Sequence, residues 1–465
     1  MTFDICIYCS IDDPDRTLWV QCDHCPQWVH VDCIPSTCLV DENLSNVGKL
    51  PTNSRQIISF TCDKHGKALL QLKGKSSNKR SSSEMDESRP GLRKKKHIDY
   101  IALNEGQDKR LKDEHPHVPN FLKCFKKWQN TTNVISSKDL SETFGNITVP
   151  LKVIDPENSG MKVPSLSELK IDLNDQNERM TVETITRVLG DDYKLDVMDV
   201  QTQQNSTWTM AQWNEYFSHT SAEKRDRIYN VISLEVSHIK EFENGIRRPK
   251  AVETNDLVDI VWGGSINNAP RPKVTKYILM SVQNAFTDFH LDFAGTSVYY
   301  KVVSGAKKFI LFPPSDHNLS EYRNWCDNDE QNLIFLGERL HDGIAMDLRE
   351  GDLFMIPCGY IHAVYTPADS LVIGGNFLTI RDLKKQLQIV NVERLTKVPK
   401  KFTFPSFDAV MGRTLEWILT NKELSKISPD HLKALMQYMS DPKVKYKPLH
   451  FHNKSRLLNE LNNLR

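Results

Sequence analysis

Three histidines in this chain are followed two residues later by an aspartate, a spacing that can place two metal ligands side by side. The three pairs are His30/Asp32, His97/Asp99 and His290/Asp292. With 15 histidines in the sequence, about one such pair arises by chance, so the tripeptide alone does not define a site. The surrounding residues must decide which pair, if any, binds a metal.

The pair His290/Asp292 lies in the segment "FTDFHLDF", which alternates apolar and polar side chains as a strand does. Because successive side chains on a strand alternate faces, His290 and Asp292 share one face. His362 opens another apolar strand in "IPCGYIHAV". Two histidines and one carboxylate can occupy one face of Fe(II) and leave positions for a co-substrate and oxygen. A polar strand face and a structural histidine are the alternatives, so only the three residues together predict an iron site.

A second set of ligand-type residues lies at the N-terminus, where the first 62 residues hold seven of the ten cysteines. Cysteine and histidine fall there in four pairs at two-residue spacing: Cys6/Cys9, Cys22/Cys25, His30/Cys33 and Cys62/His65. A tight turn lets both members of a pair reach one ion, so four pairs predict two tetrahedral Zn(II) sites. So short a segment has little core, and we expect the metal to supply much of its folding energy. Cys38 is predicted to be a packed thiol and His24 an exposed loop residue.

Length and composition limit the classes of protein that remain. A chain of 465 residues predicts two to three domains, and 39% hydrophobic with 26% charged residues is typical of a folded, soluble protein. No apolar run approaches the roughly 18–20 residues that cross a bilayer. The start, "MTFDICIYCS", does not resemble a secretory signal. We therefore expect a reducing compartment, no membrane association, and cysteines that bind metal or pack rather than form disulfides.

Residues 64–112 carry 14 Lys or Arg against 6 Asp or Glu and have no hydrophobic periodicity. This composition predicts a disordered basic linker over residues 71–115. Lys79–Arg80 and Arg93–Lys96 have the spacing of a bipartite nuclear import signal, with a merely solvated charge run as the alternative. The excess charge would also attract DNA without regard to sequence. His97/Asp99 lies in this linker and is therefore not expected to bind metal.

From about residue 274 the chain reads as many short strands separated by turn-type residues. "VTKYILMSV", "TSVYYKVV", "KKFILFPP", "DLFMIP", "IHAVYTP" and "SLVIGGNFL" are the predicted strands, with turns at "SGA", "EGD" and "PADS". This pattern predicts a double-sheet jelly roll of cupin type. Short helices are expected before it. The tail from about residue 381 is expected to form helices that support the roll or make a small bundle, in which we see no chemistry.

The fold class is thus α+β, a double-stranded β-helix (cupin, jelly roll) with helical additions and a small zinc-bound finger. The predicted boundaries are residues 1–70 for the finger, 71–115 for the linker, 116–400 for the catalytic domain and 401–465 for a C-terminal helical segment. The core of the roll is expected at about residues 230–395.

The N-terminal region resembles a PHD finger. Four cysteines followed by His and then Cys, together with "QWVHVDC" and "FTCDKH", fit that family better than a RING-type ubiquitin ligase. The family usually ends in Cys-x2-Cys, so His65 is a departure from its pattern. The resemblance implies that Trp19 and Trp28 stand where the family places the aromatic cage that holds methyl-lysine by cation–π attraction. A structural role for Trp28 is the alternative.

The segments "GTSVYYKVVSGAKKFILFPP" and "LFMIPCGYIHAVYTPADSLVIGGNFL", after "FTDFHLDF", resemble the JmjC histone lysine demethylases. The similarity covers about residues 165–400 and looks nearest to small fungal members that carry an N-terminal PHD finger. It implies that His290, Asp292 and His362 bind iron and that Lys307 pairs with the distal carboxylate of 2-oxoglutarate. Further residues implied at that carboxylate are Thr287, Tyr300 and Asn230. Strand alternation separates Lys307 from Lys308, but Thr287 and His290 have opposite parity, so a bulge is needed if both face the site.

The resemblance further implies the reaction and its setting. An enzyme of this kind uses Fe(II), 2-oxoglutarate and dioxygen to oxidise a lysine N-methyl group and releases succinate, carbon dioxide and formaldehyde. It would act in the nucleus on the histone H3 tail or the nucleosome, with mono- and dimethylated lysine-36 as the favoured target. Dimethylated lysine-9 is the alternative target, and a catalytically silent chromatin reader is the alternative of another class.

Overall fold

A computed structural model describes residues 6, 8–9, 18–25, 27–40, 49–51, 57–65, 67–72, 115–129, 132–171, 179–262, 270–421 and 427–463. The chain divides into two compact units, Met1–Lys96 and His97–Arg465. Among the described helices, none is both long enough and apolar enough to cross a membrane.

The described residues of the N-terminal unit form a small finger with five short strands. These are β1 (Trp19–Gln21), β2 (Trp28–His30), β3 (Leu39–Val40), β4 (Ile57–Thr61) and β5 (Leu69–Leu72). Strands β1 and β2 pair antiparallel, while β5 lies between β3 and β4. A few fully buried side chains, among them Val29, Phe60 and Leu70, make its small core. A core of this size agrees with the expectation that metal stabilises the unit.

The second unit contains the other described strands and the described α-helices. The strands are β6 (Val134–Ile135), β7 (Leu151–Val153), β8 (Lys194–Asp199), β9 (Gln204–Thr209), β10 (Tyr229–Glu235), β11 (Tyr277–Ser281), β12 (Phe286–His290), β13 (Ser297–Phe312), β14 (Ile344–Arg349), β15 (Leu353–Ile356) and β16 (Ile361–Phe377). The helices are α1 (Val118–Trp128), α2 (Ser137–Thr143), α3 (Val182–Leu189), α4 (Met210–Asn214), α5 (Lys240–Gly245), α6 (Lys250–Asn255), α7 (Leu257–Trp262), α8 (Asp316–Cys326), α9 (Leu383–Leu395), α10 (Phe407–Thr420), α11 (Pro429–Ser440) and α12 (Lys454–Asn463).

The long strands β13 and β16 pair along both halves of the roll and join its two sheets. In the larger sheet the first half of β13 and the second half of β16 lie beside β15 and β11. In the smaller sheet their other halves lie between β14 and β12. Side chains from both sheets make one buried cluster that includes Tyr300, Phe309 and Phe354. The predicted cupin-like jelly roll is therefore confirmed.

Two of the predicted turns are wrong. The "SGA" and "PADS" segments do not reverse the chain; each lies inside a single long strand, β13 or β16, where the register shifts at bulges. Gly305 has a φ of +80°, and a Cβ there would lie 2.1 Å from the Asp369 carbonyl oxygen, so the bend requires glycine. The "EGD" turn between β14 and β15 is present, with Gly351 at a φ of +89°.

The C-terminal helices pack against the roll and against each other. Leu383, Val410, Leu435 and Leu457 belong to one buried cluster that also includes Ala294 of the roll. The side chain of Glu393 on α9 accepts a hydrogen bond from the Ala294 backbone at 2.6 Å. Ala294 lies in the short turn directly after Asp292, so α9 supports the segment that carries a predicted iron ligand.

Candidate metal centres

The three predicted iron ligands come together on the smaller sheet of the roll. The β12–β16 register places His290 directly opposite His362, and Asp292 follows two residues after His290. One ligand atom from each of the three residues lies within 4.8 Å of the others. Asp292 Oδ2 is 3.8 Å from His362 Nε2, and the two imidazole centroids are 4.2 Å apart. These atoms are close enough to bind one ion.

Backbone and amide groups orient all three ligands. His290 Nδ1 lies 2.9 Å from the Asp288 carbonyl oxygen and His362 Nδ1 lies 3.0 Å from that of Tyr360, which leaves both Nε2 atoms for the shared centre. Asn376 Nδ2 donates to Asp292 Oδ1 at 3.2 Å. Burial, together with the neighbouring His290, lowers the pKa of His362 to about 4, so its imidazole is neutral as a metal ligand must be. This donor set fits Fe(II).

A bulge in β12 lets residues of opposite parity face the same cavity. Thr287 pairs with Val364 and His290 with His362, so β12 contains one more residue than β16 between these two pairs. The extra residue reverses the alternation, and both Thr287 and His290 line the cavity. The structure therefore contains the bulge that the sequence required.

Lys307 lies inside the same cavity and is only 2% exposed. Its Nζ donates to Ser281 Oγ at 2.6 Å and to Thr366 Oγ1 at 2.8 Å. Among the described residues no carboxylate pairs with it, and burial lowers the pKa of Lys307 to about 7. Such a buried amine, held by hydroxyl groups alone, is suited to bind an anionic ligand.

The N-terminal cysteines and histidines form two clusters of four, and the pairs alternate between them. Cys6, Cys9, His30 and Cys33 make one cluster, and Cys22, Cys25, Cys62 and His65 make the other. Cys9 Sγ is 3.3 Å from His30 Nδ1, and the sulfur atoms of Cys25 and Cys62 are 3.8 Å apart. The closeness and ligand types fit two tetrahedral Zn(II) sites, and His65 belongs to the second cluster.

Comparison with known proteins agrees with this geometry. The family described as JHD1, PHD-type zinc finger matches residues 5–66, a cupin-like domain family matches residues 112–378, and the family described as JHD1, C-terminal domain matches residues 408–464. JmjC domain-containing histone demethylation protein 1 of Kluyveromyces lactis is 54% identical over 98% of this chain and 97% of its own length. The chain belongs to this family of JmjC domain-containing histone demethylation proteins 1.

Other relatives extend the comparison. The protein of the same name from Saccharomyces cerevisiae is 49% identical over 99% of both chains. Lysine-specific demethylase 2A of Xenopus tropicalis is 38% identical over 70% of this chain, which covers 28% of that longer protein. The chain is thus a histone lysine demethylase whose JmjC domain has the 2-oxoglutarate-dependent dioxygenase fold. Family membership implies iron and 2-oxoglutarate in the JmjC domain, zinc in the PHD finger, and a nuclear location on chromatin.

The remaining residues predicted at 2-oxoglutarate differ in their surroundings. Asn230 donates from Nδ2 to Thr287 Oγ1 at 3.3 Å and accepts from Ser281 Oγ at 2.6 Å, so it connects Thr287 with the Lys307 partners. Tyr300 lines the cavity, and burial strongly raises the pKa of its hydroxyl. Lys308 points away, as alternation predicted, and pairs with Asp347 at 3.1 Å.

The cavity that holds these groups has a volume of about 830 Å³. Besides the predicted ligands it is lined by Asp196 and Glu235 on the larger sheet and by the aromatic rings of Tyr277 and Phe402. A space of this size can admit a co-substrate and an extended side chain together. The acidic groups suit a positively charged substrate.

Trp19 and Trp28 lie on the same face of the β1–β2 hairpin. Trp19 is paired with His30 and Trp28 with Gln21 in the ladder. The Trp19 ring lies 3.8 Å from the His30 imidazole, measured between centroids. Trp19 therefore covers a predicted zinc ligand in addition to any part it takes in binding a peptide. Cys38 is buried and His24 exposed, as expected.

Three residues that contact predicted site residues were not predicted, and one predicted segment is not among the described residues. Asn376, Ser281 and Thr366 were missed; an asparagine within the apolar run "LVIGGNFL" was the one available signal. Residues 73–114, which include the proposed import signal and His97/Asp99, are not among the described residues.

Proposed function

We propose that this chain demethylates mono- and dimethylated lysine-36 of histone H3, with iron held by His290, Asp292 and His362. The observation that carries the proposal is the convergence of these three ligand atoms in one cavity with the buried Lys307 amine. When bound, Fe(II) and 2-oxoglutarate would allow dioxygen to oxidise the N-methyl C–H bond. One oxygen atom would enter succinate as 2-oxoglutarate loses carbon dioxide, and the other would hydroxylate the methyl group, which would then leave the lysine as formaldehyde.

The protein residues act on this chemistry by placing its participants. His290 and His362 present Nε2, while their Nδ1 atoms face backbone carbonyl oxygens that fix the ring orientation. Asn376 fixes one carboxylate oxygen of Asp292 and leaves the other directed at His362 Nε2. His290, Asp292 and His362 would hold Fe(II) with three ligands, which would leave positions free for the co-substrate and dioxygen.

For 2-oxoglutarate we propose that Lys307 binds the distal carboxylate, with Thr287 beside it. Asn230 hydrogen-bonds to the side chains of both Thr287 and Ser281 and so fixes the side chains on both sides of the site proposed for that carboxylate. Tyr300 is proposed as a further contact from the same cavity. A compact ammonium group suits a carboxylate that is bound at a single point.

Lysine-36 is the preferred target because the chain resembles the small fungal enzymes that combine a PHD finger with a JmjC domain. Asp196 and Glu235 at the cavity support a basic peptide as substrate. Dimethylated lysine-9 is the second candidate. A catalytically silent reader is not favoured, because the relatives over the full chain carry the name of a histone demethylation protein.

We further propose that the finger binds two Zn(II) ions through the eight clustered residues and reads a histone tail with Trp19 and Trp28. Their shared face on the hairpin supports a common contact surface. The basic linker, predicted at 71–115, is proposed to carry the import signal and to contact DNA without sequence preference. Its predicted ends are too wide, since residues 71–72 belong to β5 and His115 is buried. The predicted domain boundaries remain proposals, with residues 1–70, 116–400 and 401–465 as the folded parts.

The site is tested by formaldehyde release from a dimethyl-lysine-36 H3 peptide with Fe(II) and 2-oxoglutarate. The His290→Ala protein should release none, while its finger binds zinc and peptide as the wild type does. Release at the wild-type rate by His290→Ala would disprove the assignment of the site.

A further inference from the structure

Strand β12, which carries Thr287 and His290, lies at the edge of the smaller sheet. Among the described strands it pairs only with β16. On its free side, Gln203 Nε2 donates to the Phe286 carbonyl oxygen at 3.1 Å, and Gln203 Oε1 accepts from the Asp288 amide at 3.2 Å. One residue of a parallel neighbouring strand makes the same two bonds, to residues i and i+2. A single side-chain amide thus takes the place of a missing strand.

The two backbone groups that Gln203 binds stand on either side of Thr287 and next to the bulge. The side chain of Asp288 is held from another direction, since its Oδ2 lies 3.2 Å from Nδ1 of the buried His117. The Asp288 carbonyl oxygen in turn lies 2.9 Å from His290 Nδ1. Asp288 therefore contacts Gln203 through its backbone amide, His117 through its side chain and His290 through its carbonyl oxygen.

The backbone conformation of Gln203 also indicates that surrounding contacts fix this residue in place. Gln203 lies in the turn between β8 and β9 with a φ of +55°, a left-handed conformation that glycine adopts without steric cost and other residues rarely do. Such a conformation persists where surrounding contacts fix it, and it often marks a functional position. A glycine would suit this backbone better than glutamine, but it would leave the free edge of β12 without the amide.

We propose that Gln203 and His117 are positioning residues that hold the β12 bulge, so that Thr287 and His290 both face the cavity. This inference rests on the proposed function, in which those two residues serve the co-substrate and the iron. Neither Gln203 nor His117 is assigned to a metal ligand set, and both act through Asp288 and its neighbours.

The test compares Gln203→Gly with Gln204→Gly in the full, zinc-loaded chain. Gln204 is the adjacent residue, and its side chain is exposed. Mn(II) serves as the probe because its preference for oxygen and nitrogen ligands keeps it out of thiolate-rich zinc sites. We expect Gln203→Gly to weaken Mn(II) and 2-oxoglutarate binding about tenfold, as losses of such supporting contacts typically do. Gln204→Gly should bind both as the wild type does.

The melting temperatures of the two variants distinguish a loss of site geometry from a general loss of stability. Removing the left-handed strain offsets the entropy cost of glycine, so Gln203→Gly should melt no lower than Gln204→Gly. A lower melting temperature with unchanged binding would overturn the proposal. If Gln203→Gly does not fold, Gln203→Met keeps the side-chain bulk without the amide, and wild-type binding by that variant would equally overturn it.

His117 is tested in the same way against His115, a second buried histidine that packs on the Phe286 ring at 4.8 Å. His117→Ala should weaken Mn(II) binding, and His117→Asn, which keeps a donor near the Nδ1 position, should restore it. His115→Ala should change the melting temperature more than the binding. Failure of His117→Asn to bind better than His117→Ala would contradict the role of this donor.

The same titration of His290→Ala distinguishes an error in the proposed iron site from an error in the proposed roles of Gln203 and His117. This variant should lose Mn(II) binding. If it retains that binding, the proposed iron site is wrong. If it loses the binding while Gln203→Gly and His117→Ala bind normally, only the positioning proposal falls.

Discussion

His290 and His362 face each other across the β12–β16 ladder with their ring centroids 4.2 Å apart, although they come from distant parts of the sequence. The contact depends on a bulge in one strand and on an antiparallel register in the other. Each imidazole is held by a backbone carbonyl oxygen two residues before it. The positions of the two imidazoles are therefore set by the backbone of the smaller sheet. Substitutions of the residues that support this backbone test the site as substitutions of the ligands do.

Asn376→Ala should weaken Mn(II) or Fe(II) binding by about tenfold, because Asp292 loses the amide that fixes one of its oxygens. The dissociation constant is measured by titration of the zinc-loaded protein. Asn205→Ala is the control, since Asn205 is exposed on β9. Equal affinities for the two variants would argue against this role of Asn376.

Lys307→Ala should raise the KM for 2-oxoglutarate by at least about tenfold, the loss expected when a buried charged contact to a carboxylate is removed. Lys308→Ala should leave that KM unchanged, because its side chain points to Asp347 on the outer face. Steady-state kinetics with varied 2-oxoglutarate checks both. A larger effect at Lys308 would reverse the assignment.

The use of 2-oxoglutarate should depend on pH through Lys307. Burial lowers the pKa of this amine to about 7, and a carboxylate is bound by the protonated form. As the pH rises through about 7, the free enzyme loses that proton, so kcat/KM for 2-oxoglutarate should fall about tenfold per pH unit and level off at lower pH. A profile that stays flat well above neutrality would contradict this prediction.

His65→Ala should remove one of the two zinc ions of the finger, since His65 completes the second cluster. His24→Ala should keep both ions, although His24 also lies near that cluster, with its ring 5.8 Å from that of His65. Zinc content by elemental analysis of the purified proteins gives the answer. Full zinc content in His65→Ala would show that the eighth ligand lies elsewhere.

Trp28→Ala should weaken binding of a methyl-lysine H3 peptide about fivefold or more, the range expected for loss of a cation–π contact. Trp28→Phe should retain part of the affinity. Trp19→Ala is expected to weaken binding too, but its zinc content must be checked because Trp19 covers His30. If both alanine variants bind the peptide like the wild type, the cage does not exist.

The sequence predicted which residues come together at the site better than it predicted how the strands run between them. Type and spacing alone did not separate His290 and Asp292 from the two other His-x-Asp pairs, but together with His362 they predicted a cluster that the structure brings together. Pleat parity already required the bulge beside Thr287. The same composition suits a bulge and a turn, so "SGA" and "PADS" were misread as chain reversals. Gln203 and His117 meet Asp288 only through tertiary packing, and no local pattern predicts such contacts.

The most direct test of the central claim is mass spectrometry of methylated nucleosomes incubated with the enzyme, iron and 2-oxoglutarate. It reports the position and the methyl state together. We expect stepwise loss of methyl groups from lysine-36 of histone H3 with wild-type protein and none with His290→Ala. Loss from lysine-9 alone, or unchanged demethylation by His290→Ala, would contradict it.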